Sequence, residues 1–166
     1  MDHSVLFEEI QASGKKSLRD FCNGMALILL LALVFNLISR KGDISWYTGV
    51  LGIGLLATII FARVVYTRLI TQVRTDGIYV RFPPFQPSFD RYEWETILDV
   101  YTRHFEALQE YGGWGVRHSL SGKAYIVSGN TGVQVVLKNK KRVLIGTQNP
   151  DALTQVLEGL KKTRAL

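Results

Sequence analysis

The chain has few of the residues from which metal sites and catalytic sites are built. Cys22 is the single cysteine among 166 residues, so an intrachain disulfide and a cluster of thiolate metal ligands are both excluded. His3, His104 and His118 show no metal-ligand spacing with each other or with a pair of carboxylates. The sequence also contains no nucleophile elbow and no phosphate-binding glycine loop. We therefore expect no metal, no cofactor and no enzymatic activity.

Charge is missing from two long stretches in the first half of the chain. The run Phe21–Ser39 contains no charged residue, and the run Tyr47–Tyr66 contains only Arg63. Each run is close to the roughly 20 apolar residues that a helix needs to cross a bilayer core. Arg63 is near the end of its run, where its long side chain can reach the interface. Residues 21–66 are therefore predicted to form a transmembrane helical hairpin, with spans of about 21–39 and 47–66.

A soluble helical hairpin and a signal peptide both fit these runs less well. A buried hairpin of a soluble protein would need more chain than Leu69–Leu166 provides to cover both runs on all sides. A cleaved signal peptide would have a shorter apolar region and no second run directly after it. Gly49, Gly52 and Gly54 either form a face that packs closely against the first helix or are simply tolerated in a membrane helix.

The distribution of basic residues predicts the orientation of the hairpin, because cytoplasmic loops are rich in lysine and arginine. The link Arg40–Trp46 has two basic residues. More lie before the first span or at and beyond the end of the second, namely Lys15, Lys16, Arg19, Arg63, Arg68 and Arg74. Both termini are therefore predicted to be cytoplasmic. Residues 1–20 would be an N-terminal cytoplasmic segment, and its apolar cluster in residues 5–10 is compatible with a short interfacial helix.

The remaining chain, residues 69–166, is predicted to be one small β domain. Asp76–Gly77 lies between two alternating segments, which is a strong hairpin signal. Five further strands are separated by turn residues: Ile97–Arg103, Val116–Leu120, Lys123–Ser128, Gly132–Lys138 and Arg142–Gly146. The prolines of residues 82–88 exclude a central strand there, and His104–Tyr111 is either a helical turn or a wide connection. A final helix begins with Asn149 as its N-cap, and its apolar residues recur at helical spacing: Leu153, Val156, Leu157 and Leu160.

Several stretches of this domain match a known family. They are Tyr92–Ile97 (YEWETI), Gly112–Arg117 (GGWGVR), Lys123–Ser128 (KAYIVS), Gly132–Leu137 (GVQVVL) and Ile145–Asp151 (IGTQNPD). From about Thr71 to Lys162, together with the hairpin, the chain resembles bacterial membrane proteins with two N-terminal helices and a pleckstrin-homology-like (PH-like) domain. The resemblance implies an α+β, multi-pass protein of the bacterial inner membrane, with a PH-like antiparallel β-barrel or sandwich capped by a C-terminal helix. PH-like domains in general bind lipids, peptides or proteins. Inositol phosphate binding of the eukaryotic kind is not implied, because the tight Thr75–Asp76–Gly77 turn replaces the long basic loop.

Two groups of residues are candidate interaction sites. Trp114 offers a large apolar surface, and Arg117 offers a planar set of donors that suits a carboxylate or a phosphate. A buried tryptophan beside a solvated arginine is the simpler interpretation, and we expect it. The second group is a cluster of cations at one predicted hairpin tip, Lys138, Lys140, Lys141 and Arg142. It would suit anionic lipid, although an ordinary solvated tip accounts for it as well.

The sequence as a whole predicts a membrane-anchored interaction or scaffolding module without catalytic activity. Its expected partners are the lipid bilayer and either another protein or further copies of itself. A sensor of anionic lipid surfaces and a membrane enzyme with an unrecognised site are the alternatives. Nucleic acid is not an expected partner, because residues 69–166 have 13 Lys and Arg against 9 Asp and Glu, and a nucleic-acid-binding face is more densely basic.

Overall fold

The computed structural model describes residues 4–13, 16–39 and 46–164. Within these ranges the chain forms nine strands: β1 (Val5–Ala12), β2 (Arg68–Arg74), β3 (Gly77–Phe82), β4 (Gln86–Glu93), β5 (Ile97–His104), β6 (Gly115–Ser119), β7 (Gly122–Ile126), β8 (Thr131–Leu137) and β9 (Arg142–Gly146). Its α-helices are α1 (Lys16–Ser39), α2 (Trp46–Val65), α3 (Ala107–Tyr111) and α4 (Pro150–Arg164). The structure is therefore α+β, as predicted. It divides into two compact units, the helix pair α1–α2 and a β domain that consists of β1 and the chain from Arg68 onward.

The two helices of the first unit are long and apolar enough to cross a membrane. Ser17–Ser39 and Trp46–Val65 have mean hydropathies of 2.3 and 2.0, and only 6% of each span is buried. The helix α1 begins five residues before the predicted span, and residues 40–45 of the predicted link lie outside the described residues. A side chain at Gly54 would touch Leu29 of α1, but one at Gly49 or Gly52 would meet open space. The glycine-packed face is thus present at one of the three expected positions.

The first strand corrects the prediction for residues 1–20. This segment contains no interfacial helix at residues 5–12, since β1 pairs antiparallel with β2 and sets Ala12 opposite Arg68. The helix pair is therefore an insertion between two neighbouring strands of one sheet. The sequence pattern concealed β1 because its buried positions include the polar residues Glu9 and Gln11, whereas Ile10 is exposed. The β domain consequently includes a strand that the predicted range 69–166 leaves out.

The strands of the β domain form two open sheets and not a closed barrel. Their orders are β1-β2-β3-β4 and β5-β8-β9-β7-β6. The expectation of purely antiparallel pairing is wrong at one place, because β7 and β9 pair in parallel. The strand β4 was not predicted, but it contains Pro87 and lies at a sheet edge. A proline is tolerated there, since an edge strand has backbone groups without a ladder partner.

One hydrophobic core is enclosed by the two sheets and α4. Its buried side chains include Val80 from the first sheet, Val135 from the second sheet and Leu157 from α4. The predicted apolar stripe of the last helix is confirmed, because all four of its residues belong to this core or pack against it. The sequence left residues 104–111 open between a helical turn and a wide connection. The structure has a helix there, α3. A second, smaller cluster joins Tyr111 of α3 to Ile126 of β7 and Leu144 of β9.

Candidate functional site

Two neighbouring hairpin tips form a groove of about 780 Å³ in the β domain. One tip is the two-residue turn between β6 and β7, and the other is the turn between β8 and β9 at residues 138–141. The parallel pairing of β7 with β9 brings the tips together, because it sets Lys123 opposite Val143. Both tips line the groove, and none of its lining residues has a carboxylate. We call it the cationic groove.

The close approach of the tips depends on Gly122, the first residue of β7. Its φ angle of 116° is unfavourable for any residue with a side chain. A Cβ atom at this position would also collide with the backbone carbonyl oxygen of Arg142, the first residue of β9. A glycine is therefore required where the β6–β7 tip lies against β9.

We expect Gly122→Ala to lower the free energy of unfolding by at least about 2 kcal/mol, since it adds backbone strain and a clash with backbone atoms. Denaturant unfolding of the purified variant measures this change. The control is Gly159→Ala in α4, where a side chain would meet no atom within 4 Å. That change should stabilise the protein by about 0.5–1 kcal/mol, because alanine favours a helix. Equal effects of the two substitutions would show that the tips do not pack as described.

The cations at the β8–β9 tip are exposed to solvent. Within the described part of the chain, Lys140, Lys141 and Arg142 form no salt bridge, and all three line the groove. The groove's fourth cation differs, because the Nζ atom of Lys123 lies 2.5 Å from Oδ2 of Asp90. Lys138 belongs to the same tip but does not line the groove. The predicted hairpin tip is thus present, and its role in binding stays a prediction.

One of these cations occupies a conformation that normally selects glycine or asparagine. Lys140 has a φ angle of 65°, in the left-handed region that costs an ordinary residue roughly 1–2 kcal/mol. Two backbone hydrogen bonds fix this turn. The N–H of Lys140 donates to the carbonyl of Leu137 at 2.8 Å, and the N–H of Leu137 donates to the carbonyl of Lys141 at 2.9 Å. Strained residues are frequent at functional sites, so Lys140 stays a candidate binding residue.

A hydrogen-bonded cluster lies beneath the cationic groove. Tyr125 is fully buried and donates its hydroxyl to Asp90, and its oxygen lies 3.2 Å from that of Tyr92, which lines the groove. Burial raises the pKa of Tyr92 to about 12 and also raises the pKa of Tyr125. Burial alone would raise the pKa of Asp90, but hydrogen bonds from Lys123 and Tyr125 outweigh it and lower that pKa. At neutral pH this cluster thus contains two neutral tyrosines, Tyr92 and Tyr125, and the carboxylate of Asp90, which is already paired with Lys123.

In the other predicted group, Trp114 directly precedes β6 and Arg117 is the middle residue of that strand. The expectation that Trp114 is buried is wrong, because 52% of its surface is exposed. Gly112 ends α3 in a left-handed conformation, with its N–H donating to the carbonyl of Leu108 at 3.0 Å. The chain then turns outward and exposes Trp114. Arg117 is exposed as expected, and its Nε–H donates to the carbonyl of Trp114 at 2.8 Å.

The structure thus separates the two predicted groups and adds residues that the sequence did not single out. Leu120, at the tip between β6 and β7, is fully exposed beside the cationic groove. The sequence predicts a turn at residues 121–122, but it does not show that this turn lies beside the tip between β8 and β9. Tyr92 and Lys123 also line the groove, and no local pattern marks either of them.

The model of a family of unknown function, DUF6141, matches residues 6–161. The match spans β1, the helix pair and nearly all of the rest of the β domain, so the chain belongs to this family. No curated protein matches the sequence.

Proposed function

We propose that this member of the DUF6141 family is a membrane-anchored interaction module without catalytic activity. In this proposal α1 and α2 span the bacterial inner membrane, both termini are cytoplasmic, and the β domain is PH-like. The exposed apolar surfaces of both helices support the anchor, because such surfaces need lipid or protein to cover them. Two packed sheets with a C-terminal helix are consistent with a PH-like fold.

The observation that carries the proposed binding function is the composition of the cationic groove. Lys140, Lys141 and Arg142 are exposed and form no salt bridge with any residue that the structure describes, and Leu120 projects into solvent beside them. Anionic lipid headgroups suit this combination, because each basic residue near such a surface contributes about 1 kcal/mol. Three residues then contribute about 3 kcal/mol, which is roughly a hundredfold in affinity. An exposed leucine adds apolar contact below the headgroups.

Vesicle flotation of a soluble β domain tests this function, with β1 joined directly to β2 by an Asn-Gly turn in place of residues 13–67. We expect binding to vesicles that contain phosphatidylglycerol, weak binding to phosphatidylcholine alone, and release at high salt. Changing Lys140, Lys141 and Arg142 together to glutamine should weaken binding roughly a hundredfold.

The matched control changes three exposed cations outside the groove and its two tips, Arg68, Arg117 and Lys162, to glutamine. It removes the same net charge and should keep most of the binding. If the control loses as much as the groove variant, net charge and not the groove is responsible. Absence of binding to anionic vesicles contradicts the lipid function altogether.

A second candidate function is scaffolding of a protein partner, and the exposure of Trp114 favours it. Half-exposed aromatic side chains are typical anchors of protein interfaces. This surface lies at the other end of β6 from the cationic groove, so the two functions do not compete for the same residues.

A further inference from the structure

We propose that β6 is a docking edge for an extended segment of a partner protein. The segment would add to the second sheet as an additional strand beside β6. It would place an apolar side chain against Trp114 and an acidic side chain against Arg117. The edge shares His118 with the lining of the cationic groove, but its ligand is a peptide and not a lipid.

The backbone of β6 is open on one side. The strand is the last in its sheet and pairs only with β7. A two-residue turn closes this hairpin with Ser119 opposite Gly122. Hydrogen-bonded and non-hydrogen-bonded pairs alternate in an antiparallel ladder, so Arg117 bonds to β7 while Val116 and His118 direct their N–H and C=O groups outward. Within the described residues, no backbone group of another element bonds to these outward groups.

A groove of mixed character lies where β6 begins. It has a volume of about 480 Å³, with Phe105, Leu108 and Trp114 as its large apolar residues and His104, Glu106 and Glu110 among its polar ones. Leu108 is 65% exposed, and Trp114 is 52% exposed. The volume is ample for one large apolar side chain. Burying Trp114 at the centre of such a contact would give the segment an anchor.

The positive charge of Arg117 favours an acidic side chain on the docked segment. Arg117 lies within β6 and is exposed, and it has no carboxylate within salt-bridge distance in the part of the chain that the structure describes. Its guanidinium fork is suited to bidentate pairing with a carboxylate. An acidic side chain on the added strand would satisfy it.

An extended polypeptide can bind the open backbone edge of β6, the groove beside Trp114 and the charge of Arg117 at the same time. Outward N–H and C=O groups along an edge strand are matched by the backbone of another strand, which supplies affinity, while side-chain pockets supply specificity. A lipid headgroup offers acceptors for Arg117 but no alternating donors and acceptors for β6. We therefore assign this edge to a peptide segment and not to a membrane.

The test uses the full chain in nanodiscs and a displayed library of random peptides. The tightest peptide that is selected then serves as the probe. We expect it to contain an apolar and an acidic residue and to slow hydrogen exchange at the amides of Val116 and His118. Trp114→Ala should weaken its binding at least tenfold without lowering the melting temperature. Replacing the acidic residue of the peptide should weaken binding to the parent protein but not to Arg117→Gln.

Val116→Pro tests the backbone directly, because it removes an outward N–H without removing a bond to β7. It should also weaken binding at least tenfold, whereas Val116→Ala, which loses the same valine packing but keeps the N–H, should bind like the parent. Failure to select any peptide, or unchanged exchange at Val116 and His118 in the complex, overturns the proposal. Loss of vesicle binding in Trp114→Ala would assign the surface to lipid instead. If Val116→Pro does not fold, the proposal is tested by hydrogen exchange at Val116 and His118 and by the peptide affinity of Trp114→Ala.

Discussion

Removal of β1 is expected to unfold the β domain. The buried carboxylate of Glu9 accepts hydrogen bonds from the Thr147 hydroxyl at 2.6 Å and the Gln148 N–H at 2.7 Å. The Gln11 side-chain amide donates to the carbonyl of Gly146 at 2.7 Å. Without β1, these three groups before α4 lose their partners, and β2 loses its neighbour. Each lost hydrogen bond costs about 0.5–3 kcal/mol, with the higher values for bonds to the charged Glu9, so together with the lost strand pairing the total is comparable to the 5–15 kcal/mol stability of a typical domain.

Two soluble proteins measure this effect. One begins at Arg68 and lacks β1, and the other joins β1 to β2 through an Asn-Gly turn in place of residues 13–67. The turn fits because Ala12 lies opposite Arg68 in the ladder, and Asn-Gly favours a two-residue hairpin. We expect cooperative melting of the joined protein only. If both melt alike, β1 is not an integral strand, and the predicted β domain of residues 69–166 folds without it.

A point substitution separates the contacts of Glu9 from the loss of a whole strand. In the joined protein, Glu9→Ala should cost about 2–4 kcal/mol, because it leaves the buried Thr147 hydroxyl and the partly buried Gln148 N–H without their acceptor. Glu8→Ala is the control, since Glu8 is exposed and accepts a hydrogen bond only from Gln72 among the contacts seen. Its effect should stay below about 1 kcal/mol. Similar effects of the two substitutions would show that Glu9 does not hold the segment before α4.

The second large effect is expected from Leu157→Asp, which should prevent stable folding of the β domain. Leu157 is 4% exposed and packs α4 against the main core. An unpaired charge at this position should cost roughly 3–5 kcal/mol. Gln155→Asp adds the same charge on the exposed side of α4 and should change stability by no more than about 0.5 kcal/mol. Denaturant unfolding of both variants decides, and a parent-like midpoint for Leu157→Asp would mean that α4 does not dock.

The sequence was sufficient for elements whose signal lies within a few consecutive residues. The absence of charge in residues 21–39 predicted an apolar helix, and the helix extends over that whole range. Asp76–Gly77 predicted the β2–β3 hairpin, and Asn149 with the spacing of the apolar residues after it predicted α4. In each case the local pattern and the tertiary contacts favour the same conformation. The cationic tip between β8 and β9 was found for the same reason, since a run of basic residues at a turn is a local feature.

Only the tertiary structure decided the features that depend on residues far apart in the chain. The strand β1 is separated from β2 by the whole helix pair, and its inward polar residues are explained only by partners on the loop before α4. The cationic groove exists because β7 lies parallel to β9, and neither strand's periodicity specifies its neighbour or its direction. Trp114 is exposed because a left-handed glycine ends α3 just before it. Residue type alone favoured a buried position, and the direction in which the backbone leaves α3 overrode that preference.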